Sequence, residues 1–98
     1  MASNIRLNYE KVMHEVARLN GEENAFEGQV KKIYGVAERL RQEWESPASA
    51  ICIQKIEQIA EEMTETRKKM QETTELIELV AARIQNAEEE TERMAEQL

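Results

Sequence analysis

The stretch QEWESPASAICI, residues 42–53, holds the chain's only tryptophan and its only proline, three positions apart. The residue before a proline is pushed out of the α region, so Ser46 is expected to stand outside any helix that reaches it. Serine is a favoured N-cap and proline suits the first helical position, so a second helix is expected to start at Pro47. Trp44 is then the last seam residue of a first helix, covering the closed end. The turn is Trp44, Glu45, Ser46 and Pro47, and a connection this short forces antiparallel neighbours.

Working outward from that turn, apolar residues fall at alternating steps of three and four on both sides. Upstream they are Tyr9, Val12, Val16, Leu19, Phe26, Val30, Ile33, Ala37, Leu40 and Trp44, and the same steps put Glu23 on the seam as its one clear violation. Five heptads in one phase predict a single amphipathic helix over about residues 8–45. The stretch RLNGEENAF, residues 18–26, contains Asn-Gly, a turn signal. Leu19 and Phe26 nevertheless stay seven apart, so a local irregularity is expected there and no break.

Downstream the seam is Cys52, Ile56, Ile59, Met63, Met70, Ile77, Val80, Ile84, Ala87, Met94 and Leu98, with Thr66, Thr73 and Thr91 filling the remaining steps. No glycine or proline interrupts residues 48–98, so one helix is expected from about 47 to 96, close to 75 Å long. The fold class is all-α, one helical hairpin over residues 1–98 with its turn at 45–47. Trp44 opposite Ser49 sets Tyr9 near Ile84, leaving the end of the second helix to overhang the first. Ile5 and Leu7 are available to fold back over part of that overhang.

Composition narrows the function. Every acidic residue is Glu and none is Asp, which suits long helices, because Asp competes for backbone hydrogen bonds. The net charge of −7 argues against a nucleic-acid partner, since phosphate binding needs a positive footprint. No apolar run is long enough to span a membrane, and the start of the chain lacks the apolar core of a cleaved signal peptide. His14 is the only histidine, which argues against histidine metal clusters and catalytic triads. Glu88, Glu89, Glu90 and Glu92 splay around a helix axis and read as a solvated acidic end. Cys52 on the seam reads as a buried, inert thiol. No cofactor, metal, small-molecule substrate or enzymatic activity is expected.

Two long helices joined at a Trp-x-small turn in about a hundred residues resemble the WXG family, the early-secreted-antigen-like proteins of type VII secretion systems. The resemblance rests on Trp44, Glu45 and Ser46, with Ala48 and Ile51–Ile53 opening the second helix. Ser46 stands where the family has glycine. The Tyr-x-x-x-acid export motif that often follows the second helix has no counterpart in EEETERMAEQL, residues 88–98, and Tyr34 to Glu38 falls inside helix one. The resemblance implies a secretion substrate or an accessory factor exported without a cleaved signal peptide. It also brings in small proteins that accompany LXG-type toxins and bind the toxin's helical targeting domain, a partner that would supply the signal. The competing reading is a cytoplasmic coiled-coil structural or adaptor protein.

A hairpin with one narrow seam seldom holds itself together. Met13, Tyr34, Val36, Ile53, Leu76, Leu79, Met94 and Leu98 flank or extend the seams and are the expected partner-binding residues, with Ala60 and Ala81 widening the stripe. A homodimer of hairpins in a four-helix bundle, or a heterodimer with another helical protein, is expected to cover them. Gly21, Gly28 and Gly35, seven apart and one heptad after His14, lie opposite the seam. They read either as tolerated drift on a solvated face or as a smooth line for a second helix.

Overall fold

In the computed structural model, residues 7–98 are described, and the expectation for Ile5 lies outside them. Two helices, α1 (Tyr9–Glu43) and α2 (Pro47–Glu96), pack side by side as an antiparallel hairpin 79 Å long. Asn8 caps α1, its side chain accepting from the Lys11 N–H at 3.1 Å. α1 runs unbroken through Asn20-Gly21, and no residue among those described has a positive φ.

The turn shows why serine serves here. Ser46 is extended (φ −165°, ψ 163°), a conformation open to any residue. Its hydroxyl accepts from the Ser49 N–H at 3.1 Å, and Ser49 Oγ accepts from the Ser46 N–H at 3.0 Å, a reciprocal capping box. Trp44 departs from expectation. α1 ends at Glu43, and Trp44 is its extended C-cap, more than a third exposed. More than half of its surface is covered, and it lines a groove at the closed end with Arg41, Ser49 and Ile53.

The α1 seam lies where its periodicity put it. Val16, Glu23, Val30 and Ala37 form the buried line, with Val12, Phe26, Ile33 and Leu40 half-buried along one side. The line that α2 turns toward α1 is Ile53, Ala60, Arg67, Thr74, Ala81 and Glu88, one position away from the expected Cys52, Ile59, Thr66, Thr73, Val80 and Ala87. Ile56, Met63, Met70, Ile77 and Ile84 border both lines. At two of these positions the residue is smaller than the one expected, Ala60 for Ile59 and Ala81 for Val80. Ala60 is 0% exposed against α1, where a larger side chain would hold the helices apart.

Polar partners set the register. Glu23, 3% exposed in mid-seam, takes a hydrogen bond from the Thr74 hydroxyl, which also lies 3.0 Å from the Met70 carbonyl. The expected violation thus has its answer on the opposite helix. One heptad along, Arg67 reaches Glu27 at 3.2 Å and Gln71 at 2.8 Å, while its Nε is buried with no acceptor. Near the turn Arg41 pairs with Glu57. At the open end the Leu7 N–H donates to Glu88 at 3.2 Å. Leu7 thus folds against α2 as anticipated, and the pairing continues about one turn past Ile84. From Glu89 to Leu98 every residue is exposed.

Candidate docking face

The one-position rotation of α2 decides what remains for a partner. Side chains three and four apart share a helix face. The seam expected to face α1 from Cys52 to Leu98 is therefore split. Its Ile56–Met63–Met70–Ile77–Ile84 half lies at the edge of the hairpin core. Its Cys52–Ile59–Thr66–Thr73–Val80–Ala87 half points away from α1 and is exposed, with Ile59 at 51% and Val80 at 45%. The periodic pattern in α2 is real, but half of it belongs to a second surface.

α1 adds Val12, Leu19, Phe26, Ile33 and Leu40 to the same side. Two shallow apolar grooves mark where the helices meet there. One is lined by Leu7, Val12, Leu76, Ile77, Val80 and Ile84, the other by Leu19, Thr66, Met70 and Thr73 with the stem of Lys69. The next line outward on α1 holds Glu15, Glu22 and Glu43, so α2 carries most of the apolar surface.

The opposite side of the hairpin is polar. Glu27, Val30, Lys31, Tyr34, Thr64, Arg67 and Lys68 line a groove there, where Arg67 pairs with Glu27, and Arg41 pairs with Glu57 nearer the turn. Its hydrogen bond to Glu57 holds the Arg41 guanidinium above its ordinary pKa. The molecule therefore has one sticky face and one wet face.

The anticipated partner residues do not form a single patch. Ile53, at 5% exposure, is packed against α1 and is withdrawn from that set. Ala60 and Ala81 are likewise core. Met13 and Tyr34 lie on the polar side, and Val36 sits among the acidic residues of α1. Leu76 borders the apolar face, Leu79 points away from α1, and Met94 and Leu98 prolong the α2 stripe into the free end. Cys52 is exposed, a correction of the buried thiol expected, because it stands on the half of the stripe that α2 turns outward. Ile59 and Val80 were legible as apolar but were assigned to the intramolecular seam.

Among the described residues no three carboxylate, histidine or cysteine side chains converge to hold a metal ion, and no helix is long and apolar enough to cross a membrane. A Cβ built on Gly21 or Gly28 meets nothing within 4 Å, and one on Gly35 meets only the Arg39 side chain at 3.4 Å, so the glycine line faces open space.

A family model described as proteins of 100 residues with WXG matches residues 4–89. Comparison with curated proteins and with solved structures finds no match to either.

Proposed function

Because the chain belongs to the family of WXG proteins, small helical proteins associated with type VII secretion, we propose that it acts without catalysis, as a secretion substrate or accessory factor, by burying the apolar face of its hairpin in a helical partner. The exposed Ile59 and Val80 on that face carry the reading, together with the half-buried row from Ile56 to Ile84 that borders them. An apolar stripe this wide needs more than one neighbouring helix to cover it. Family members typically form helical dimers. The partner is a second copy of this chain or the helical targeting domain of a larger secreted protein, of which an LXG-type toxin is one form. Export proceeds along the type VII route, without a cleaved signal peptide.

The test is detection of the chain in culture medium, without lysis markers, in cells carrying the secretion system. The wild type is expected outside, and a variant with both Ile59→Glu and Val80→Glu is expected to stay inside. Equal retention of wild type and variant would support the cytoplasmic adaptor instead. Release of the wild type only when a larger effector is co-produced would identify it as an accessory factor.

A further inference from the structure

We propose that the groove on the polar side of the hairpin is a second docking site. It takes a short acidic segment of another protein, one glutamate or aspartate side chain beside an apolar or aromatic one. The groove lies across the molecule from the apolar face, so a helix covering that face leaves it open. The proposal therefore does not depend on what the apolar face binds.

The charge of the groove runs against that of the chain, which has 13 basic and 20 acidic residues and a net charge of −7. Three cations, Lys31, Arg67 and Lys68, line the groove against one carboxylate, Glu27. Glu27 is already engaged, its oxygen 3.2 Å from Arg67 Nη2. Lys31 on α1 and Lys68 on α2 make no ion pair among the described residues, so two free ammonium groups reach the site from both helices. Arg67 is the fixed member of the set. It stands on the line that α2 turns toward α1, with Nη1 donating to Gln71 at 2.8 Å and Nε buried without an acceptor. The guanidinium thus has bonding capacity left over. A carboxylate entering beside it gains charge-assisted hydrogen bonds, the stronger kind.

The walls define the rest of the ligand. Val30, 6% exposed, lies beneath the charged groups, and the Tyr34 ring and the lysine stems stand at the sides. Such walls favour an apolar or aromatic neighbour to the acid, and the Tyr34 hydroxyl can itself donate to a carboxylate. The Thr64 hydroxyl donates to the Ala60 carbonyl at 2.9 Å, which leaves its lone pairs for a peptide N–H. At ≈ 260 Å³ the groove falls below the range of about 300–1,000 Å³ typical of small-molecule sites. That is the scale of a side chain or two on a peptide.

The surroundings limit the length of the acidic stretch. On the same side, Glu38 and Glu61 follow toward the turn and Glu75 and Glu78 toward the open end. A nucleic acid or an anionic membrane surface would lie across those carboxylates as well, like charge against like. A short acidic segment meets the groove alone.

The test titrates the full chain with capped peptides, acetyl-Gly-X-Glu-Gly-amide with leucine, phenylalanine or tyrosine at X, and follows backbone amide shifts by NMR. At least one peptide is expected to shift Lys31, Tyr34, Thr64 and Lys68 saturably and to leave Ile59 and Val80 unmoved. Glutamine in place of the peptide's glutamate is expected to weaken binding about ten-fold. Binding should also weaken when ionic strength rises from about 0.01 M to about 0.15 M, which shortens the screening length from about 30 Å to about 8 Å. The Lys31→Glu, Lys68→Glu variant should lose binding and keep its helical circular dichroism, because both side chains are exposed. Undiminished binding by the glutamine peptide, or by the variant, would overturn the proposal, as would no saturable shift with any of the three peptides. Shifts confined to Ile59 and Val80 would move the peptide to the apolar face and overturn the groove. Inorganic phosphate giving the same shifts at the same concentrations would overturn the peptide as occupant and leave a bare anion site.

Discussion

Ser46 stands where the family's motif has glycine, and the backbone there explains the exchange. The residue is extended, so a glycine's freedom is not needed, and the serine hydroxyl supplies a cap bond that glycine lacks. Ser46→Gly is expected to cost only a few tenths of a kcal/mol and Ser46→Ala about 1 kcal/mol, read from urea unfolding at fixed protein concentration. A second residue-scale prediction concerns Glu23 and Thr74. A carboxylate buried mid-seam depends on its donor. Thr74→Val is expected to destabilise the fold by about 1–3 kcal/mol, since it strands the Glu23 oxygen. Combining it with Glu23→Leu should restore or exceed wild-type stability, because an apolar pair fills the same site without desolvating a charge. If the double variant is weaker than Thr74→Val alone, the pair contributes more than register.

At the scale of the helices, much was legible and the rest was hidden for a definable reason. Ser46-Pro47 located the turn because proline chemistry is local. The α1 phase was legible because its stripe is narrow. In α2 the stripe is wider, covering positions such as Ile53 and Ala60 as well as Ile56 and Ile59. Periodicity alone does not say which edge of a wide stripe meets α1. The seam then went to the larger residues Ile59 and Val80, whereas close helix packing took Ala60 and Ala81. Cys52 and Ile53 were misjudged together by that single rotation. Trp44 was misjudged separately, since α1 stops one residue before it. Cys52 turns this into a prediction. Its thiol should react readily with a maleimide in the isolated chain and be protected once a helical partner covers the face. The glycine line belongs to this scale too. Gly21, Gly28 and Gly35 have room for a methyl group on the face away from α2. Replacing all three with alanine should stabilise α1 by about 1 kcal/mol each and raise the Tm. Unchanged self-association in that variant is the expected result, and its loss would relocate a docking surface to this line.

For the whole molecule, the account describes half of an assembly. The hairpin is 79 Å long with principal cross-section extents of 20 and 16 Å, its core is a narrow set of Val, Ile and Ala side chains with the paired Glu23 and Thr74, and Ile59, Leu76 and Val80 stay exposed. The free end from Glu89 onward has only its own helix to hold it, and negative charge at a helix C-terminus is unfavourable. Its order is therefore expected to depend on the partner. The measurement that tests the central claim most directly is sedimentation of the wild type and of the Ile59→Glu, Val80→Glu variant at micromolar concentration, with circular dichroism on the same samples. The account predicts a strongly helical wild type at twice the chain mass and a variant at the chain mass. A variant that dimerises as the wild type does would contradict it.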